Sequence, residues 1–421
     1  MTDTRSIPRL PARDSTLALL ADPYRFIGRQ AAALSSDVFE AGIFLQPALC
    51  LTGTEAASLF YDDTRFIRHN AAPEPLVATL FGRGGVQALD DAAHRHRKAL
   101  FLDVLRPERQ LRLVELVRRE WQAALHDWTL SPPFPLYAAL QPILTRAVCQ
   151  WAGVPLADDD VPARSRQLVR LFDSAASGPV RHVLARRARH QTEAWLTRLI
   201  EAARRGHTRL SVDTAAHAVS THVDMEGRPL PVGVAAVELL NVLRPVVAVS
   251  VYMTFVAHAL HAHREWRQRL GSEPDPRAAM AFVQEVRRHY PFFPAVAARV
   301  RTDFAWQGMS FRAGQRALFD LYGTNHDARA WPGPDTFSPE RWLDGTIDPR
   351  AFVPQGGGDV ALQHRCPGED TAGRLMRLAL DILLQSLRYE VPSSQRLAPD
   401  LSRLPAVPRD GFVIERVRRI A

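Results

Sequence analysis

A chain of 421 residues, 46% apolar and 23% charged, can bury a large core and has the composition of a globular enzyme, which excludes a disordered or fibrous protein. Its three cysteines, Cys50, Cys149 and Cys366, are too few and too scattered for a disulfide framework or a zinc site, so a reducing, cytoplasmic setting is expected. The net charge of +8 is almost wholly arginine, Lys98 being the sole lysine, and no zinc finger or aromatic-interleaved basic motif accompanies it, so no nucleic-acid partner is expected.

Apolar periodicity predicts helices over 14–36 and 52–60. Between them, residues 37–52 read as strands broken at Phe44-Leu45-Gln46-Pro47. No apolar signal core opens the chain, so neither a secretion signal nor an anchor is expected. Leu80-Phe81-Gly82-Arg83-Gly84-Gly85-Val86-Gln87 reads as a loop whose glycines allow close approach to a ligand. His94-Arg95-His96-Arg97-Lys98 opens another helix, with His94 and Lys98 on one face. Helices follow over 107–130, 135–152, 160–177 and 180–206. The last coincides with eight arginines between Arg181 and Arg209 and reads as amphipathic with a solvated basic face.

The stretch 231–262 is long and apolar enough to suggest a membrane span. Glu238, Asn241 and Arg244 interrupt it and Pro245 lies in its middle, so no membrane span is expected but a buried central helix about 48 Å long. Next come a helix over 276–290 and strands between Ala297 and Tyr322, with turns at Gly308 and Arg312-Ala313-Gly314. A helix over 370–388 and a tail of short irregular strands from 391 to 421 complete the chain. No repeat, linker or composition break divides it. Residues 1–421 are expected to form one mainly α domain with small β-sheets.

Cys366 has the most informative surroundings. Gly356-Gly357-Gly358 demands a loop, His364-Arg365-Cys366-Pro367-Gly368-Glu369 follows, and a strongly apolar helical pattern starts after Glu369. A cysteine just before a buried helix lies near unpaired N–H groups and the positive end of the helix dipole, with His364 and Arg365 adding positive potential. Three readings follow: a nucleophile, an axial haem ligand, or a buried structural thiol.

Two more motifs decide among them. Glu285-Val286-Arg287-Arg288 sets a carboxylate and a guanidinium on one helix face, and Phe337-Ser338-Pro339-Glu340-Arg341-Trp342 follows about fifty residues later. In this order before the cysteine loop, they resemble the cytochrome P-450 superfamily. The resemblance implies a buried network of Glu285, Arg288 and Arg341 behind a haem (haem b), with Cys366 as its iron-binding thiolate and Arg365 beside it. The loop departs from the usual pattern: Asp359, Leu362 and His364 stand where Phe, Gly and Arg are usual, and the glycine run lies upstream. In this it is similar to the fatty-acid peroxygenase branch.

The central helix departs too. It lacks the small-residue pair, acid and threonine of oxygen-activating relatives and carries Arg244-Pro245, as that branch does. A guanidinium on a buried helix must find an anion. Glu238, six residues back, lies about 120° around the helix and is a poor local partner. A distant carboxylate could pair with Arg244; beside the haem motifs, the carboxylate of a bound ligand is the reading adopted here. Pro245 removes one helix hydrogen bond and opens the turn where that ligand would dock.

The resemblance then implies hydroxylation of fatty acids at the α or β carbon with hydrogen peroxide and no redox partner protein. The substrate carboxylate on Arg244 would act as general acid–base, and the thiolate would favour O–O cleavage. Phe81 and Gln87 resemble distal-pocket positions. Some relatives place His at the Gln87 position, and that is associated with decarboxylation to terminal alkenes, so Gln87 favours hydroxylation. His94 and Lys98 correspond to a basic pair on a haem propionate, the alternative being solvated charge. His258, His261 and His263 lack an acidic or Cys partner and are not expected to bind a metal. The rival functions are decarboxylation, a reductase-dependent monooxygenase, and a haem- or fatty-acid-binding protein without turnover.

Overall fold

The computed structural model describes residues 5–174, 178–272, 275–345 and 347–420. Residues 175–177 of the predicted helix 160–177 lie outside them, and the part described is helical over Val161–Asp173. Helices dominate, as expected, and the long apolar patterns fold where predicted: Pro107–Leu130, Leu136–Ala152, Pro179–Arg204, Val232–Ala262, Pro276–His289 and Glu369–Gln385. The predicted helix 14–36 is two, Thr16–Ala21 and Phe26–Leu34, because Pro23 forces Asp22 out of the α region (φ −141°, ψ 65°). Short helices at Ala215–Thr221, Arg264–Ser272 and Leu321–Asn325 have too few turns to show a period.

Among the described residues ten strands build three small sheets: β1 Val38–Ile43, β2 Gln46–Leu51, β3 Phe66–Ile67, β4 Phe134–Pro135, β5 Ala295–Val300, β6 Phe304–Trp306, β7 Met309–Phe311, β8 Arg316–Asp320, β9 Leu387–Glu390 and β10 Val413–Arg419. The largest has the order β1-β2-β8-β5-β3. Strand β2 runs parallel to β8, with Leu49 opposite Ala317. Phe60 stacks on Phe319 at 5.2 Å beneath this sheet, which fastens the N-terminal segment to the C-terminal half. The predicted helix 370–388 stops at Gln385, and β9 then pairs with β10.

The central helix Val232–Ala262 is apolar all round, and it packs against Leu136–Ala152, Val161–Asp173, Pro179–Arg204 and Glu369–Gln385. By length and composition it could cross a membrane, but 72% of its most apolar window is buried inside the fold. Packed against four other helices, it is the core helix that its polar interruptions implied. Its N-terminal half faces the glycine-rich segment, and the Glu369–Gln385 helix brings the Cys366 loop up to it.

Candidate active site

The buried network behind the cysteine loop is fully assembled. Glu285 and Arg288 have no side-chain exposure and meet through two hydrogen bonds, Nε to Oε2 at 2.9 Å and Nη2 to Oε1 at 2.7 Å. Arg341 Nε lies 3.3 Å from Glu285 Oε1, and Trp342 Nε1 and the Ser338 N–H each donate to the same carboxylate at 2.9 Å. Arg288 also donates to the carbonyls of Asn325, Pro334 and Thr336. Two buried charges thus leave no lone pair idle, the condition for such a pair to be tolerated. The three residues named from sequence come together, and the network ties the Pro276–His289 helix to the segment 332–342.

Arg287, which the motif passes over, reaches the cysteine loop instead. It donates to Gln355 Oε1 at 3.0 Å and lies 3.2 Å from Glu369, while Gln355 Nε2 lies 3.8 Å from Cys366 Sγ. Gly356 and Gly358 take φ of +98° and +79°, and a Cβ on Gly358 would meet Gln363 Oε1 at 2.2 Å. The loop therefore needs its glycines for conformation and for space.

One electrostatic expectation is corrected. Burial and the Glu369 charge push the Cys366 thiol up, against the Gly368 N–H, Lys98 and Arg287. Arg365 is spent on Glu369 at 2.7 Å, and His364 faces Asp90 at 3.8 Å. Glu369 and Asp370 occupy the first turn of the helix and answer its dipole themselves. A thiolate here depends on a metal bond, which deprotonates a coordinating thiol outright.

His94 and Lys98 are buried on the Asp91–Val104 helix, so the solvated-charge alternative is excluded. The His94 ring stacks on His364 at 3.8 Å between centroids, and burial together with His364 and Lys98 pushes it down to about 3. Lys98 Nζ donates to the carbonyls of Gln363 and Arg365, and burial pushes it down to about 8. Burial works against the charge of Asp90, but donors from His364 and the Arg68 and His69 N–H groups hold it at about 2. Arg68, buried over the Phe60 ring, joins this cluster; nothing in its sequence surroundings marks it.

Across the fold, the middle of the central helix is open in one place. Arg244 and Pro245 keep accessible surface while Asn241–Leu243 and Val246–Ser250 are buried. A residue in mid-helix, inside a core, can be exposed only to an internal space. Among the described residues Arg244 Nε is buried without a hydrogen-bond partner. Burial and then Arg189 push its guanidinium down to about 9, opposed by Cys366. Among the described residues no carboxylate acts on it. Glu238 is indeed not its partner: it pairs with Arg97 at 2.8 Å and accepts from Asn241 at 3.1 Å. Asn241 also donates to Gln87 Oε1 at 3.2 Å, which fixes that amide over the same region. Phe81 ends a π-helical turn, Val77–Phe81, and packs against the helical core.

Among the described residues no group of three or more His, Cys, Asp or Glu side chains has metal-ligand geometry. His258 meets the Tyr290 hydroxyl at 2.7 Å. His263 does have an acidic neighbour, Glu265 at 3.6 Å, contrary to expectation.

These residues suit a haem. A cysteine residue that keeps some accessible surface next to a buried helix, an open turn in the central helix, and the cations Arg68 and Lys98 beside the neutral His94 ring match an iron, a flat apolar macrocycle and its anionic side chains. Comparison agrees. The cytochrome P-450 family model matches residues 279–413, which include Glu285, Arg288, Arg341 and Cys366. A taurochenodeoxycholic 6 alpha-hydroxylase of Sus scrofa is 33% identical over 135 residues, 32% of this chain and 24% of that protein, so the match spans about a quarter of the curated relative. Three solved structures align along nearly their whole length. Cytochrome P450SP alpha (CYP152B1) in complex with (R)-ibuprophen is 48% identical with a TM-score of 0.94, covering 97% of this chain and 99% of that one. Cytochrome P450EX alpha (CYP152N1) with myristic acid is 38% identical with a TM-score of 0.95, covering 99% and 100%. Ligand-free cytochrome P450 OleT is 31% identical with a TM-score of 0.94, covering 99% of each. The chain belongs to the cytochrome P-450 superfamily and, within it, to the CYP152 fatty-acid peroxygenase branch.

Proposed function

We propose that this protein hydroxylates fatty acids at the α or β carbon with hydrogen peroxide, on a haem b held by Cys366, and that the whole chain is one catalytic unit. The observation that carries the reading is Arg244: an uncompensated guanidinium that opens onto an internal space and feels the charge of Cys366. An alkyl carboxylic acid supplies the charge that Arg244 lacks and a chain that the surrounding helical core can cover. The solved relative with myristic acid supports the same ligand class.

When bound, the haem supplies the two-electron chemistry that splits the peroxide O–O bond and delivers one oxygen to carbon. The net reaction inserts that oxygen into a C–H bond and releases the other as water. The protein does the rest. Arg244 holds the substrate carboxylate in two-point contact, which fixes C2 and C3 nearest the reaction centre. Pro245 leaves the Asn241 carbonyl without its helix donor and keeps the turn open. The held carboxylate takes a proton from the peroxide and returns it to the departing oxygen, which replaces the missing acid–threonine pair. Gln87, tethered by Asn241, closes the pocket with a neutral amide, and Phe81 walls the acyl chain. His94 and Lys98 would meet the haem propionates. The reading needs no redox partner protein, and the free, buried Cys50 and Cys149 fit a reducing cytoplasm.

The test is one incubation of haem-loaded protein with myristic acid and hydrogen peroxide, without reductase, read by mass spectrometry. 2- or 3-Hydroxymyristate is the expected product. A C13 terminal alkene would move the assignment to decarboxylation. No product in the presence of a thiolate-type ferrous–CO spectrum would refute peroxide-driven turnover on fatty acids.

A further inference from the structure

Of the eight arginines between Arg181 and Arg209, the amphipathic pattern places the group on a solvated face, yet Arg189 is 4% exposed and points inward. Its guanidinium sits on the end of the π-helical turn that carries Phe81. Nη1 donates to the carbonyls of Thr79 (3.5 Å) and Leu80 (3.2 Å), and Nη2 to that of Phe81 (3.3 Å). Glu193, one turn along, holds the Nε at 2.5 Å and balances the charge. The last carbonyls of any helical turn have no internal donor, so a buried cation there caps them.

The next residue makes room for it. Gly82 has φ +83°, and a Cβ there would come within 1.8 Å of Arg189 Nη2 and 2.7 Å of Val237 on the central helix. The turn, the arginine and the central helix are therefore packed as one unit, and Arg244, four residues after Leu240 on that helix, feels the Arg189 charge.

We propose that Arg189 is a positioning residue that sets which carbon of the bound acid is oxidised, by locking the turn that presents Phe81 to the acyl chain. The proposal rests on the fatty-acid reading above. Arg244 fixes one end of the substrate; the carbon that meets the oxidant then depends on how tightly the chain is pressed from the side. A Phe81 whose supporting carbonyls have lost their cap lets the first carbons of the chain shift, so oxidation spreads from one carbon to its neighbour.

The experiment compares Arg189→Gln, Gly82→Ala, the double variant and Arg189→Lys in the haem-loaded protein. Two quantities are read: the ratio of 2- to 3-hydroxymyristate formed with peroxide, and hydrogen exchange in the peptide spanning residues 76–84 without substrate. Each of the first two variants is expected to change the product ratio by about threefold or more and to speed exchange by about tenfold. Their combination should give less than the sum of the two, because the alanine Cβ expels the guanidinium that the other change removes while its own contact with Val237 and its positive φ persist. Arg189→Lys should recover part of both effects. A lower rate with an unchanged ratio, or additive effects in the double variant, would overturn the proposal and leave Arg189 a structural part. If the wild-type protein makes no hydroxy acid, the fatty-acid reading falls by itself; unchanged exchange in Arg189→Gln would still sink the locked turn.

Discussion

Arg244→Leu should separate binding from stability, because the two effects have opposite signs. With substrate bound, the variant loses a buried, two-point charge-assisted contact. Truncating such a contact costs about 2–5 kcal/mol, roughly 30-fold to several-thousand-fold in dissociation constant. Without substrate, the native arginine is a burden: among the described residues its buried Nε has no partner and no carboxylate acts on it. Exchanging a buried charge for an apolar side chain of similar volume is neutral to stabilising by about 1–4 kcal/mol. For 421 residues the entropy of unfolding is about 0.9 kcal/mol/K, so the midpoint should rise by up to about 4 °C. The assay is a spectral titration of the haem-loaded variant with myristate, paired with calorimetry of the ligand-free form. A variant that binds myristate as tightly as the wild type refutes the clamp. One that melts several degrees lower shows that Arg244 has a structural counter-ion, and the argument from its unpaired charge collapses.

Three other outcomes are expected. Glu285→Gln strands the fully buried Arg288 beside a neutral amide, and breaking such a pair costs about 3–5 kcal/mol; a lower thermal midpoint with poor haem retention is the signature, and unchanged melting would contradict it. Burial holds the Asp320 carboxyl up at about 7 despite donors from the Gly323 N–H, Thr52 and the Gly28 N–H. An acid whose folded value exceeds its unfolded one loses stability as pH rises between the two. The stability of Asp320→Asn relative to wild type should therefore grow from pH 4 to pH 7, as urea melts at both pH values would show; a shrinking difference would mean the donors win. Gln87→His puts a titratable ring where Asn241 now holds a neutral amide, and should raise the C13 alkene share of the products from myristate; an unchanged share would remove this position from the choice between the two reactions.

Much of this protein can be read from its residues in order. Helices such as Pro107–Leu130 and Val232–Ala262 repeat their apolar pattern over many turns, and tertiary context has little power to overrule a signal that long. Glu285, Arg288, Arg341 and Cys366 stood out only as a set, because their three motifs in that order resemble the cytochrome P-450 superfamily, and the fold brings the first three together. Elements a turn or two long, such as Ala215–Thr221, were not legible, because so few residues show no period.

Long-range electrostatics lay beyond the sequence. Which guanidinium answers Glu369, that of Arg365 or that of Arg287, and therefore what charge Cys366 feels, depends on side chains that meet across a loop and two helices. Arg189 makes the same point most sharply. By composition it belongs to a solvated basic stripe; only the packing of the Pro179–Arg204 helix against a glycine more than a hundred residues earlier turns it inward. Local spacing along the chain determined which groups exist and on which face of a helix they stand. Tertiary contact alone decided which of them keep a partner and which, like Arg244, are left for a ligand, because desolvation and pairing depend on neighbours that sequence distance does not encode.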